Sequence, residues 1–206
     1  MNKIFSYFKK SEIKNLTPVL SEYISRKKIV TFVPLKNVDK LTFDMASAGA
    51  GKIGNYTICS FRMKGIGTFV PGQSSNPLTG KKGKLSFEEE VRLEMECSTE
   101  SLEAVIDALL KSHPYDEPAY EIYDFTKRTK RHLAFLCELT KKMTMEELIY
   151  RLNNKVVIAE GFMGIKFSKI LFLDNISKED VLKSVKTINA EVVVTIGKKQ
   201  NNINII

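Results

Sequence analysis

Histidine is scarce in this chain: two residues, His113 and His132, in 206. A pair of bound metals asks for roughly six to eight converging ligand atoms, usually anchored by several histidines. The two here stand in different stretches, so the expectation is that the chain holds no metal and uses no cofactor. Cysteine is equally sparse. Cys59, Cys97 and Cys137 are odd in number, far apart and never spaced as CxxC. That excludes a disulfide framework or a paired-thiol motif and suggests reduced core thiols. No apolar run nears the ~18 residues of a membrane span. The opening "MNKIFSYFKK" has neither an apolar segment nor a small-residue cleavage site, so no signal peptide is read and a cytoplasmic location is expected. Acidic residues fall short of basic ones, 24 against 32, leaving a formal net charge of +8. Such a balance permits nucleic-acid or phosphate binding. The lysine-rich patches at 80–84, 126–132 and 197–199 carry no accompanying nucleic-acid signature, and a solvated surface is the plainer reading.

What is present is patterned. Residues 1–28 read as a polar helical segment, interrupted at Pro18, with Leu16, Leu20, Tyr23 and Ile24 on one face. "KIVTFVP" (28–34) reads as a strand stopped by Pro34. Asn37 is placed to cap a helix carrying Val38, Leu41, Met45 and Ala48, ended by Gly49. "NYTICSF" (55–61) and "IGTFV" (66–70) read as short strands about a turn at Lys64-Gly65. Residues 73–83 are a loop by their punctuation. In "LSFEEEVRLEMEC" (85–97), Val91, Leu93, Met95 and Cys97 alternate with Arg92, Glu94 and Glu96, the mark of a half-buried strand. Ser98 or Thr99 can cap a helix striped by Leu102, Val105, Ile106, Leu109 and Leu110. "AYEIYDF" (119–125) closes the series. The order β-α-β-β-α-β predicts a ferredoxin-like layer with both helices on one sheet face.

"TKRTKR" (126–131) reads as a charged linker to a second piece, residues 132–206. There "HLAFLCEL", "KVVIAEGF", "KILFLD" and "EVVVTIG" read as strands. Thr144 and Glu147 form a capping box before Met145, Leu148, Ile149 and Leu152. A second helix is expected from Ser177 and Asp180, with Val181, Leu182, Val185 and Ile188 along it. "EVVVTIG" is nearly all apolar, as in strands covered on both faces. This piece is thin, so residues 1–28 or another subunit must cover one side of its sheet.

Two strings bear on function. In "SAGAGKIGNYTICSF" (47–61), Gly49, Gly51 and Gly54 follow a helix C-terminus. Phosphate fingerprints put glycines before a helix N-terminus, where the dipole is positive. A structural turn with a glycine at positive φ is therefore expected. In "HPYDEPAYEIY" (113–123), His113 is open to three roles: ligand, proton carrier or cap of a helix end, the last being the commonest for a lone histidine. His113 and Glu117 have metal-ligand spacing, but Pro114 and Pro118 exclude the helix that would align them.

In one order and spacing, "AGAGKIGNYTICSF", "GIGTFVPG", "NPLTGKKGKL", "EEEVRLE" and "LLKSHPYDEPAYEIY" resemble the insert domain of the Nif-three-like family, also known as type 2 homologues of GTP cyclohydrolase I. The resemblance spans residues 29–125. It implies a PII-like or CutA-like fold, set between two halves of an α/β domain, and residues 132–197 are similar to the start of the second half. The fold class expected is thus α+β: a ferredoxin-like domain at 29–125 and a partial α/β domain at 132–206. The family's dinuclear metal is implied to rest on a His-His pair in the first half and on a His and a carboxylate in the last helices. This sequence has no His-His pair, 28 residues before the insert, and its end at Ile206 near where the ligand-bearing helix would begin. The expectation is a member that has lost that site and acts as a non-enzymatic, oligomeric ligand- or partner-binding module. The resemblance implies a homo-oligomer, a trimer or a multiple of one, with ligand contacts at Gly51, Asn55, Tyr56, Asn76, His113, Tyr115 and Glu117. A metal-dependent hydrolase of a nucleotide-like compound is the alternative.

Overall fold

The computed structural model describes residues 4–152, 156–158, 164–174, 176, 188–196 and 201–205. The chain divides into two compact units, residues 24–127 and residues 1–23 with 128–206. It passes between them inside two long strands, β1 (Ile13–Pro34) and β4 (Tyr120–Thr144).

Both strands correct the sequence reading. Residues 13–28 are extended, and only two short 3-10 turns, Ile4–Ser6 and Lys10–Glu12, precede them. The spacing of Leu16, Leu20, Tyr23 and Ile24 does suit a helix. Strand pairing and the β-branched content of the stretch outweigh that weak periodicity. Pro18 lies ahead of the Lys27–Pro34 register with β3, where its missing N–H interrupts none of those rungs. Residues 126–131 are not a linker but part of β4. Their charges are held in place: Lys127 meets Glu96 at 3.0 Å, and Arg131 meets Glu22 at 3.0 Å and Asp174 at 3.1 Å.

In residues 24–127, β1 leads through a 3-10 turn (Leu35–Asn37) into α1 (Val38–Ser47). Then come β2 (Phe61–Phe69), β3 (Ser86–Cys97), α2 (Leu102–Ser112) and the start of β4. The strands lie in the order β2-β3-β1-β4, with β3 antiparallel to both its neighbours. This is the ferredoxin-like arrangement. Its core joins Ile29 and Val33 of β1, Val91, Leu93, Met95 and Cys97 of β3, Leu41 and Met45 of α1, and Val105 and Leu109 of α2. Both helices therefore pack on one sheet face, as the two apolar stripes require. Each such aliphatic side chain contributes about 1.5–3 kcal/mol on burial.

Three local expectations are corrected. The stretch 55–70 is not a hairpin: β3 offers an unbroken register from Phe61↔Glu94 to Phe69↔Ser86, and Gly65 lies extended within it. Asn37 does not cap α1, because the preceding 3-10 turn winds it into helical backbone. Its Oδ1 is buried without a hydrogen-bond partner among the described residues. Leu110 is 46% exposed, at the margin of the α2 stripe. Ser98 caps the 3-10 turn Thr99–Ser101 that leads into α2, its hydroxyl accepting from Ser101 N at 3.3 Å, while Ser101, the N-cap of α2 itself, makes no side-chain cap hydrogen bond.

The other unit carries α3 (Met145–Arg151), β5 (Val156–Ile158), β6 (Lys166–Asp174), β7 (Val192–Ile196) and β8 (Asn201–Ile205). Strands follow the order β4-β6-β7-β8-β5, with β6/β7 and β8/β5 parallel. The Thr144–Glu147 capping box forms in both directions, at 3.0 and 3.3 Å. Strand β8 has no counterpart in the sequence reading, and the helix expected at 177–188 lies largely outside the described residues. Both sheet faces bury apolar side chains. Ile4 and Phe8 join Phe172, Val192 and Val194 on one, and Val19 and Leu20 pack against Leu171 and Val193 on the other. The N-terminal residues thus supply the cover that the thin second piece called for.

Candidate functional site

Strand alternation decides which β3 side chains can act together. Val91, Leu93, Met95 and Cys97 point to the helices. Glu88, Glu90, Arg92, Glu94 and Glu96 share the opposite face. Their cross-strand neighbours are Gly67 for Glu88, Gly65 and Pro34 for Glu90, and Met63 and Phe32 for Arg92.

Charge along this ladder is uneven. Glu96 Oε1 accepts from Arg26 at 3.3 Å and Lys127 at 3.0 Å. Glu94 accepts from Lys28 at 2.9 Å and Arg92 at 3.0 Å, and those hydrogen bonds hold its carboxyl below the usual range. At the far end, among the described residues, Glu88 meets only the Thr79 hydroxyl and Glu90 the Tyr115 hydroxyl, each at 2.8 Å. Burial, with the Glu90 carboxylate beside it, pushes the Tyr115 pKa up, which keeps the hydroxyl a donor.

A cleft of about 610 Å³ opens over this end. Phe32, Met63, Phe69, Val70 and Leu78 give it apolar walls, and Glu90, Arg92, Tyr115 and Glu117 bring polar groups to it. Apolar walls with a few convergent polar groups are the ordinary make-up of a small-molecule site. Gly67 serves it by absence: a β-carbon there would overlap the Glu90 carboxylate.

His113 stands behind this site. It is 7% exposed. Nδ1 accepts the Tyr115 backbone N–H at 3.2 Å, which leaves Nε2–H to donate to Phe32 O at 3.0 Å. The ring is therefore a neutral Nε2–H tautomer, and burial lowers its pKa. Of the three expected roles it takes the last by position: it is the C-cap of α2, its backbone N–H donating to Leu109 O at 2.9 Å, while its ring, with both nitrogens spent, ties the 113–119 turn to β1.

The remaining predicted residues lie elsewhere. Gly51 is a turn residue, with φ +70° and its N–H on Glu96 O at 2.7 Å. The amides of Gly49, Ala50 and Ile53 are likewise spent on Ala46, Met45 and Tyr56 carbonyls at 3.0 Å. Positive φ at Gly49, Gly51 and Gly54 fits a turn, and an anion would find none of these four donors free. Asn55 and Tyr56 sit at the exposed tip of that turn, and Tyr56 is 75% exposed. Asn76 donates its backbone N–H to Asp116 at 3.1 Å, with Ser75 and Pro77 beside it at the cleft. So Tyr115 and Glu117 meet at the cleft, Asn76 borders it, and Gly51, Asn55 and Tyr56 are absent from its lining. Phe32, Met63, Gly67, Glu90 and Arg92 escaped the sequence reading, although the alternation of "EEEVRLEME" already puts Glu90 and Arg92 on one face.

The described residues do not fit a metal pair. Among the described residues no three His, Cys, Asp or Glu side chains are grouped to hold an ion. His132 sits in the other unit, with Ser21 Oγ 3.5 Å from its Nδ1 and Phe135 edge-on at 5.7 Å. Cys97 and Cys137 are buried free thiols, and burial raises both pKa values, Cys137 to about 11. Cys59, expected in a core, is partly exposed in the loop after Gly51. Among the described residues no helix is long and apolar enough to cross a membrane.

No protein-family model matches the chain. Among curated proteins it is 40% identical over 137 residues to the GTP cyclohydrolase 1 type 2 homolog of Halalkalibacterium halodurans, covering 66% of this chain and 36% of that one. It is 35% identical over 147 residues to the protein of the same name from Bacillus subtilis, covering 71% of this chain and 39% of that one. The match thus spans little more than a third of these relatives' length. A solved Bacillus cereus protein related to NIF3 superposes with a TM-score of 0.55 at 25% identity, over 96% of this chain and 57% of its own. The Staphylococcus aureus protein SA1388 shares the fold at 18% identity, with a TM-score of 0.55 over 93% of this chain and 53% of its own. Over the stretch it shares with them, the chain belongs to the Nif-three-like family of GTP cyclohydrolase 1 type 2 homologues.

Proposed function

We propose that residues 24–127 form a small-molecule-binding module with no chemistry of its own, a regulatory part of a cytoplasmic, self-associating protein. The cleft over the Glu90 end of β3 carries this reading. It has the size and composition of a ligand site, and its polar groups are arranged for holding rather than reacting. The one histidine beside it has both nitrogens committed, so it is not free to act as a general base there. Self-association is supported by β2, which ends the strand order and exposes Phe61, Met63 and Ile66 by 60, 52 and 70%. Such an edge is normally covered. The stoichiometry proposed, a trimer or a multiple of it, follows the family resemblance.

The relatives' name suggests the second reading, a metal-dependent hydrolase of a nucleotide-like compound. One protein preparation tests both. With methionine methyls labelled, nucleotides, amino acids, amines and organic acids are titrated in turn. Saturable movement of Met63, with Met45 in the helix-side core still, supports the cleft. Silence at Met63 across the panel at millimolar concentration refutes it. Stoichiometric zinc, iron or manganese together with GTP turnover that a chelator abolishes would install the hydrolase instead.

A further inference from the structure

We propose that the cleft selects an organic cation, an ammonium or guanidinium group carried on an apolar body. This rests on the cleft being a ligand site and adds the class of ligand. The wall that decides it is Glu90. Glu94 and Glu96, on the same strand face, each hold two cationic groups within 3.3 Å. Glu90 has one hydroxyl, from Tyr115, and no cation among the described residues. Two basic residues, Arg92 and Lys64, also line the cleft. Arg92 donates to Glu94 and lies over the Phe32 ring at 5.5 Å. Lys64 lines the cleft beside Gly65 but pairs with Val91, so alternation turns its side chain to the helix side of the sheet, the face opposite that of Glu90. The second Glu90 oxygen lies against the bare backbone of Gly67, where a β-carbon would overlap it. Glu117 adds a carboxylate to the lining, also without a partner among the described residues. A carboxylate against apolar walls attracts a cation more strongly than one in open water. Met63, Phe69, Val70 and Leu78 would take the apolar body.

The test uses three probes of one shape, 2-phenylethylammonium, 2-phenylethanol and 3-phenylpropanoate, titrated into the full chain and read at the Met63 methyl. The ammonium should bind at least tenfold more tightly than the alcohol, and the carboxylate more weakly still. Glu90→Gln keeps an acceptor for Tyr115 and should bring the ammonium down to the alcohol's level. Glu96→Gln, on the same strand face but outside the lining, should leave it unchanged. Equal or better binding of the carboxylate, or an indifferent Glu90→Gln, overturns the cation and leaves the cleft standing. If none of the three moves Met63, the cleft and the cation fall together.

Discussion

Two glycines in one turn offer a controlled experiment, because both sit in the left-handed region but only one is crowded. At Gly51, φ is +70°, and a β-carbon would come within 2.8 Å of Cys59 O and Met95 Cε and 2.9 Å of Cys59 N. At Gly54, φ is +59° and nothing lies within 4 Å. A left-handed alanine costs about 1–2 kcal/mol at either position. Gly51→Ala must also move backbone, since two of its three contacts are main-chain atoms. Overpacking of that kind adds about 1–3 kcal/mol. The expected losses are therefore about 2–5 kcal/mol for Gly51→Ala and about 1–2 kcal/mol for Gly54→Ala. Urea unfolding of each full-length variant, followed by far-ultraviolet circular dichroism, measures the difference. Hydrogen exchange at the Cys59 amide, which bonds Gly51 O at 2.8 Å, localises it. Equal losses would refute the argument from contact, and no loss at either site would refute the argument from φ.

Glu12, paired with Arg151 at 2.7 Å, has its pKa lowered to about 2, mainly by that side-chain hydrogen bond. The stability it contributes is complete above the ordinary carboxylate pKa and lost as pH falls toward 2. Glu12→Gln should cost about 1 kcal/mol at neutral pH, solvent screening included, with the gap to wild type closing below about pH 4 in urea titrations. His113 works the other way round as a base. Burial lowers its pKa, so folding favours the neutral ring and stability falls as pH drops below the usual histidine range of about 6.5; His113→Asn should flatten that limb of the profile, and a persistent limb would assign it elsewhere. Under native conditions a thiol reagent should modify Cys59 quickly and Cys97 and Cys137 only on unfolding; rapid labelling of all three would contradict their burial. Ile66→Lys should lower the mass measured by light scattering if β2 is the contact edge, and a monomeric wild type at tens of micromolar would refute self-association altogether.

The parts of the fold legible in the sequence are those where one local signal and the tertiary environment agree. Strand β3 announces itself because Val91, Leu93, Met95 and Cys97 alternate with charge, and their core demands that alternation. Helix α3 begins where Thr144 and Glu147 say it should. The misreadings share a different cause. Residues 13–28 and 126–131 hold few buried side chains, and their shape is set by neighbouring strands and by ion pairs such as Arg131–Glu22. No periodicity records a partner more than a hundred residues away. Gly65 read as a turn on composition alone, yet a glycine opposite Glu90 in an unbroken register needs no turn.

The site was legible to the same extent and for the same reason. "HPYDEP" drew attention through its prolines and its lone histidine, and it does deliver Tyr115 and Glu117 to the cleft. What the string could not convey is that His113 is consumed in holding the turn, since its acceptor, Phe32 O, lies 81 positions earlier. The glutamate that gives the cleft its charge looked like one of several in "FEEEVRLEMEC". Glu90 differs from Glu94 and Glu96 in what faces it: a hydroxyl and the bare backbone of Gly67, where the others have lysines and arginines. A residue type and its spacing can mark a ladder of like charges. Which rung is left uncompensated, and so able to bind something, is settled by the opposing strands and the turn that closes over them.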